Sequence, residues 1–524
     1  MGMIQVNPRG DGFIDTASGE RFVPIGTNYA AMLDVVNYKG KLRRFTNLFG
    51  IDRETATDPL VEAATYMKRL GDLGLNVIRI WTEPHDFFPI GPRIDPEAAD
   101  KFDRLLDICR QNGIYISVGM HLAASPTGWP FHNFQPPHQQ LLLDQLYLFG
   151  TRWGKHEQIF SWTIVGEGQL PWYTKWLGDQ WPQWLQYWYN DDLDLLRKSW
   201  GSLPGGHFNC FADAPVPPRN VGACIGIDRV TYGRLNELPD DVWAGSTWRY
   251  DWRLFLEHIG SRRVHQEVGI LRNAGARQMM TVGANSWTFP NLPASQMTMG
   301  YNPYFLCDSL DYFCEHNYPM PQCMPGALGN PLDSEENLQR WLTANEIMGR
   351  IYTSLGKPVI LEEWGWYGPG RADFAGFDMG QRTAEDQLRY CDRLMESMQH
   401  FFQGWMYWMH RDMPQDGDLT QVSGLYRADG TIKPWGKRYG EWAREFKKTP
   451  PQVAKAKATV DLDMKRMFTD DRFHETWWHD MVRDYPARGP LDFRYVFERK
   501  PATDWPNDVR NLDIQTGQQD YWAK

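Results

Sequence analysis

The stretch Phe160-Ser-Trp-Thr-Ile-Val-Gly-Glu167 is a short apolar run that ends in a carboxylate. A second stretch, Pro358-Val-Ile-Leu-Glu-Glu363-Trp-Gly365, has the same design. Runs of this length without polar alternation are typical of parallel β-strands that are covered on both faces. Because burying an unpaired charge is costly, a carboxylate at the tip of such a strand is expected to serve a ligand. The two stretches therefore predict two buried strands whose carboxylates, Glu167 and Glu363, face one ligand.

Six more runs of this kind lie along the chain, so that eight strands are predicted in all. They span residues 22–29, 76–81, 114–121, 160–167, 278–284, 310–318, 359–363 and 404–408. Helical periodicity lies between them, over residues 58–73, 95–111, 250–273, 335–355 and 384–400, and glycine follows several of these segments as a helix stop signal. Strands that alternate with helices predict a parallel sheet, and eight of them predict an α/β fold, the (β/α)8 TIM barrel.

Three additions to this barrel are predicted. Residues 12–23 form an N-terminal hairpin that turns at Ala17-Ser-Gly19. A long insertion after the fourth strand, residues 168–248, contains a helix at 180–200 and is expected to shape the active site. A C-terminal extension follows at 449–524, with a helix at 461–483, so that the expected domains are a catalytic barrel at 1–448 and this extension. The extension is expected to wrap the barrel or to contact a second copy, which makes a homo-oligomer possible.

The composition excludes several classes of partner. The chain has 524 residues, a net charge of −10 and no basic block, so we expect no nucleic acid. No run is long and apolar enough to span a bilayer, and the first residues lack the apolar core of a signal peptide, which predicts no membrane association and a cytoplasmic location. The seven cysteines are scattered and odd in number, which fits a reducing compartment.

A metal site is not expected. Cys307, Cys314, His316 and Cys323 lie close together in the sequence, but their spacing fits none of the usual paired ligand patterns. We therefore predict neither a metal nor a cofactor.

The ends of the predicted strands carry the polar and aromatic residues expected of an active site, because TIM barrels place the site at the carboxyl ends of their strands. A pair of acidic residues on either side of a bond is the arrangement used for glycoside hydrolysis, and we predict Glu167 and Glu363 as catalytic. The chain also has 25 tryptophans, whose flat faces suit a sugar ring. The predicted carbohydrate-binding residues are Arg79, His121, Asn285, His316, Tyr318, Trp364 and Trp408.

This set resembles the superfamily of retaining glycoside hydrolases that carry the acid/base and the nucleophile at the ends of barrel strands 4 and 7. The resemblance covers about residues 12–448. The motif from Lys357 to Gly365 resembles the nucleophile motif of family 5, whereas residues 183–218 resemble the insertion of family 42 β-galactosidases. The resemblance implies a retaining β-glycosidase in which Glu363 is the nucleophile and Glu167 the acid/base. Arg79 and Tyr318 are then expected to contact Glu363.

One position departs from the pattern of that superfamily. Its members usually have Asn before the acid/base, where it contacts the sugar 2-hydroxyl, but this chain has Gly166. Three explanations are open. Another residue, for example Asn285, contacts the sugar 2-hydroxyl; the substrate is unusual at C2; or the site is inactive. A second expectation concerns Glu362, which should point away from Glu363 because successive strand residues alternate.

Several functions remain open at this point. The long insertion favours exo-action on a small glycoside or oligosaccharide, since it is placed to close one end of the cleft. An endo-acting β-mannanase or glucanase is the enzyme alternative, and a transglycosylase would use the same two carboxylates. A carbohydrate-binding barrel without turnover is the non-enzymatic alternative, supported by Gly166.

Overall fold

The computed structural model describes most of the chain. The described residues are 2–29, 59–82, 87–88, 93–120, 136–166, 175–202, 208–217, 246–285, 301–319, 330–365, 368, 370–374, 377–414 and 419–498. Glu167 and His121, both predicted site residues, lie outside them.

Eight parallel strands close into a barrel, with each strand paired to its neighbour in the chain and the eighth to the first. The barrel strands are β4 (Ile25–Asn28), β5 (Val77–Thr82), β6 (Tyr115–Met120), β7 (Ile159–Gly166), β8 (Met279–Asn285), β9 (Phe313–Asn317), β10 (Val359–Trp364) and β13 (Gly404–Tyr407). Each lies within two or three residues of a predicted strand, and the order is the predicted one. The prediction of a (β/α)8 TIM barrel is therefore confirmed.

A small antiparallel sheet covers the end of the barrel where the strands begin. It consists of β1 (Ile4–Val6), β2 (Phe13–Asp15) and β3 (Arg21–Phe22), so that the predicted hairpin is present with one strand more. Phe13 packs edge-on against Phe160 and Tyr312, which lie at the start of two barrel strands. With this end filled by side chains, the opposite end is left for a site.

Twelve helices are described, and the longer ones surround the barrel. They are α1 (Pro59–Leu73), α2 (Pro96–Gln111), α3 (Pro136–Trp153), α4 (Lys175–Trp188), α5 (Leu193–Trp200), α6 (Thr247–Asn273), α7 (Pro303–Leu306), α8 (Glu335–Thr353), α9 (Ala384–Met398), α10 (Pro434–Lys448), α11 (Met464–Thr469) and α12 (Asp471–Arg488). The ends are set by local chemistry: Asp95 caps α2, and Thr383 forms a capping box with Asp386 at the start of α9. In the part of the chain that is described, no helix is long and apolar enough to cross a membrane.

The insertion contains two helices where one was predicted. The chain leaves α4 and enters α5 through Asn190 and Asp191, whose φ angles are 52° and 59°. Such left-handed conformations interrupt a helix, and Asp192 then caps α5 by accepting a hydrogen bond from the Leu195 amide. Four indoles from the two helices stack with centroids 5.2–6.0 Å apart. They are Trp181, Trp184, Trp188 and Trp200.

The predicted helix of the C-terminal extension begins later than expected. Residues 458–463 form a strand, β14 (Ala458–Asp463), which pairs in parallel with β15 (Leu491–Val496), and α11 and α12 connect the two. The extension packs on the barrel helices: the Tyr485 hydroxyl donates to Glu346 over 3.0 Å, and the Phe493 amide donates to Ser354 over 2.8 Å. A second pair of strands that was not predicted, β11 (Gly370–Phe374) and β12 (Phe377–Arg382), follows β10.

Candidate active site

Two adjacent carboxylates occupy the end of the seventh barrel strand. The register between β10 and β9 shifts between Leu361 and Glu363, which marks a bulge in β10. A bulge breaks the strict alternation of side chains, and both Glu362 and Glu363 consequently approach the same guanidinium, that of Arg79. The expectation that Glu362 points away from Glu363 is therefore wrong.

Arg79, in β5, lies between these two carboxylates. Its Nη1 donates to Oε1 of Glu363 and, over 3.1 Å, to Oδ1 of Asn28, while its Nε is 3.3 Å from Oε1 of Glu362. Burial alone would lower the pKa of Arg79, but the two carboxylates outweigh it and raise this pKa. A fully charged guanidinium is thus fixed beside Glu363, where it stabilises a carboxylate.

His316 and Tyr318, which follow one another closely at the end of β9, complete the surroundings of Glu363. The Tyr318 hydroxyl donates to Oε2 of Glu363 over 3.0 Å. The His316 ring lies between the two carboxylates, with Nε2 3.1 Å from Oε2 of Glu362 and Nδ1 3.5 Å from Oε1 of Glu363. The predicted contacts of Arg79 and Tyr318 with Glu363 are both present.

Glu362 is a member of the site that sequence reasoning missed. It is fully buried and accepts a hydrogen bond of 2.7 Å from Thr163 in β7. Burial alone would raise its pKa, but the charge of Arg79 and the hydrogen bonds from His316 and Thr163 lower it to about 2. The available signal was the hydroxyl residue Thr163 inside the apolar run of β7, since a polar side chain in an apolar strand needs a partner.

The aromatic residues of the site divide into two groups. Trp408 is partly exposed and lies edge-on to Trp81, with ring centroids 6.5 Å apart. Trp364 is different, because its ring is fully buried and packs against Tyr407, Trp435 and Tyr439 between the barrel and α10. A ring enclosed in this layer has no face for a sugar, so the prediction of Trp364 as a substrate contact is corrected.

The fourth barrel strand ends beside Arg79. Its last described residue is Gly166, and a Cβ placed there would lie 3.3 Å from Nη2 of Arg79 and 2.6 Å from Cζ3 of Trp81. Asn285 ends β8, where its backbone pairs with His316. The tips of the fourth and seventh barrel strands therefore meet around the guanidinium of Arg79 from the second strand, which places the residue before Glu167 close to the surroundings of Glu363.

A metal centre is not formed by these side chains. Among the described residues, no group of three or more His, Cys, Asp or Glu side chains is arranged to hold a metal ion. Cys307 and Cys314 are free thiols, and Cys323 lies outside the described residues.

Comparison with known proteins shows that solved structures of glycoside hydrolases share this barrel fold. No protein-family model and no curated protein matches the sequence. A β-galactosidase from the psychrophilic Marinomonas ef1 aligns with a TM-score of 0.60 at 16% identity, covering 83% of this chain and 67% of that one. A catalytic mutant of Gan42B, a family 42 β-galactosidase from G. stearothermophilus, gives 0.65 at 14% identity, covering 90% and 65%. The exo-β-1,4-mannosidase Op5Man5 from Opitutaceae bacterium strain TAV5 gives 0.54 at 15%, covering 94% and 72%.

The chain has the fold of these glycoside hydrolases. Both families that its motifs resemble, 5 and 42, are represented among the matched structures. The chain spans between 62% and 67% of the length of the matched β-galactosidases. At identities of 12–16% the likeness concerns the fold, so the chemistry has to be argued from the side chains of this barrel.

Proposed function

We propose that the protein is a β-glycosidase that acts with retention of anomeric configuration, with Glu363 as nucleophile and Glu167 as acid/base. The observation that carries the proposal is the position of Glu363: a carboxylate at a barrel strand end, held by Arg79 on one oxygen and by Tyr318 on the other. The fold shared with β-galactosidases and a β-mannosidase supports it.

The first half of the reaction forms a glycosyl-enzyme ester. An oxygen of Glu363 attacks C1 of the sugar while the bond from C1 to the leaving oxygen breaks, and Glu167 gives its proton to that oxygen. Arg79 and Tyr318 keep the attacking carboxylate ionised and oriented, which limits the reorganisation needed in the transition state. In the second half, Glu167 takes a proton from water, the water oxygen bonds to C1, and the ester bond to Glu363 breaks.

The sugar is proposed to lie against Trp408. Its ring is partly exposed, so part of its apolar face is available to a sugar ring. His316 is fully buried, with its two ring nitrogens beside the two carboxylates, and is proposed to orient them under the sugar. His121 and Asn285, predicted from the strand ends, are kept as further contacts in this proposal.

Exo-action on a small β-galactoside or β-mannoside is the proposed specificity. It is supported by the insertion helices α4 and α5, which add a packed layer after the fourth barrel strand, and by the matched exo-β-1,4-mannosidase. An endo-acting β-mannanase remains the alternative. Digestion of a β-1,4-linked manno-oligosaccharide distinguishes them, because exo-action releases monosaccharide from the first time point whereas endo-action releases shorter oligosaccharides.

A panel of nitrophenyl α- and β-glycosides tests the proposed reaction, with the anomer of the first product read by NMR. We expect hydrolysis of a β-glycoside with retention, a loss of about 10³-fold or more in kcat for Glu363→Ala, and a smaller loss for Glu167→Ala on good leaving groups, because these need little protonation. Glu315→Gln, at a buried carboxyl outside this constellation, serves as the matched control. Inverted product, or no turnover of any donor, would contradict the proposal.

A further inference from the structure

Trp81 lies across two glycines at the end of the barrel. Its backbone pairs with Gly119 of the neighbouring strand β6, and its ring reaches over that residue to Gly166 at the end of β7. A Cβ on Gly119 would lie 2.9 Å from Cε3 of Trp81, and one on Gly166 would lie 2.6 Å from Cζ3 and 2.9 Å from Cη2. These distances leave no room for a side chain at either position, so the indole packs directly against the two glycines.

The same indole covers the guanidinium that holds Glu363. The centroid of the Trp81 ring is 3.4 Å from Cζ of Arg79, a stacked cation–π contact. Only 8% of Trp81 is exposed, and Trp408 lies edge-on to it. The Trp81 ring therefore lies between Arg79, which holds Glu363, and Gly166 at the end of β7, in the place where a side chain at position 166 would stand.

We propose that Trp81 replaces the polar contact at position 166 with an apolar wall, and that the enzyme accepts β-glycosides that lack a 2-hydroxyl. This inference rests on the proposed function, in which position 166, next to Glu167, faces C2 of the sugar. A retaining site that binds the 2-hydroxyl gains several kcal/mol in the transition state, equivalent to at least a hundredfold in rate. Trp81 presents an aromatic ring to this hydroxyl, so removing the hydroxyl from the substrate has little effect on the rate.

The test compares dinitrophenyl β-glycosides with and without the 2-hydroxyl, using the sugar configuration that the enzyme hydrolyses. Each kcat/KM is divided by the spontaneous hydrolysis rate of the same glycoside, because deoxygenation at C2 itself makes the glycosidic bond more labile. We expect the corrected preference for the 2-hydroxyl to be less than about tenfold, against the hundredfold or more of a site that binds it. A preference of tenfold or more would overturn the inference, and would indicate that another donor, such as Nη2 of Arg79, binds that hydroxyl.

A pair of variants tests the role of Trp81 directly. In Trp81→Ala/Gly166→Asn the amide has room, and we expect the corrected 2-hydroxyl preference to rise at least tenfold over the wild type. Gly166→Asn alone should lose activity through the clash with the indole. Gly269→Asn is the matched control, since a Cβ on Gly269 meets no atom within 4 Å. An active double variant with unchanged preference would overturn the inference, and if it does not fold, the wild-type comparison still decides.

The two proposals fail in different ways. If no glycoside is hydrolysed, the proposed function fails before any preference is measured. If glycosides are hydrolysed with a strong 2-hydroxyl preference, the function stands and the inference about Trp81 alone is wrong.

Discussion

Glu362 and Glu363 lie beside the same guanidinium. The positive charge that stabilises the proposed nucleophile, Glu363, is therefore shared with a second carboxylate. The described groups that face Glu363 are Arg79, His316, Tyr318 and Glu362. In Glu362→Gln the charge of Arg79 acts on Glu363 alone, and a repelling negative charge is removed. With that repulsion removed, Glu363 stays ionised in stronger acid, so the acid limb of the pH profile of kcat/KM should move to lower pH. The less basic carboxylate should also lower kcat.

Thr163→Val is the matched control for that experiment. It removes the hydrogen bond to Glu362 but keeps the negative charge, so the acid limb should move less than in Glu362→Gln. If Glu362→Gln lowers the melting temperature and leaves the acid limb in place, Glu362 has only a structural role.

The residues of the site were predicted with unequal success, for a physical reason. Arg79 and Tyr318 contact Glu363 as predicted, because parallel strands bring their carboxyl ends together whatever the details of the chain. Glu362 was assigned to the wrong face of its strand, and Trp364 was predicted as a substrate contact although its ring is buried. Glu362 faces Arg79 because a bulge shifts the register between Leu361 and Glu363, whereas Trp364 follows Glu363 in regular alternation and so faces α10. No residue type in this run distinguishes a bulged strand from a regular one.

At the scale of elements, apolar runs located all eight barrel strands, because strands buried on both faces have a strong compositional signal. The predictions of individual elements fail where the conformation or pairing of a few residues determines the structure. One predicted helix became α4 and α5 because Asn190 and Asp191 adopt left-handed conformations. The last three residues of β14, 461–463, were predicted as helical. Only Leu462 in this strand is fully buried, and the strand forms because β15 pairs with it. Because β15 lies 33 positions away in the chain, the sequence of β14 itself does not indicate this pairing.

The junction between α4 and α5 gives a prediction at this scale. Asp191 is exposed and has a φ of 59°, a conformation that glycine adopts without strain and a β-branched residue adopts poorly. Asp191→Val should therefore destabilise the protein by about 1–2 kcal/mol, whereas Asp191→Gly should stay within roughly 0.5 kcal/mol of the wild type. Thermal melting of the two variants in parallel measures the difference. Equal melting temperatures would show that this junction does not require a left-handed residue.

Two buried carboxyl groups make the stability of the whole molecule depend on pH in opposite directions. Glu362 has its pKa lowered to about 2: burial raises it, but Arg79 outweighs that effect. The stability it contributes is present above its ordinary pKa of 4.5 and is lost as pH falls toward 2. Glu315 in β9 behaves in the opposite way, since burial raises its pKa to about 8, despite contributions from Tyr352 and His316 that lower it. The fold therefore keeps Glu315 protonated at neutral pH.

The consequence of the buried Glu315 is a loss of stability on the alkaline side. Between pH 4.5 and 8 the unfolded chain releases this proton and the folded chain retains it, so the free energy of unfolding falls as pH rises, by an amount on the order of a few kcal/mol. Glu315→Gln keeps the shape of the neutral carboxyl and cannot ionise. Its melting temperature should consequently fall less than that of the wild type between pH 5 and 8. Parallel slopes for the two proteins in calorimetry would show that Glu315 does not titrate in this range, and that other groups set the alkaline limit.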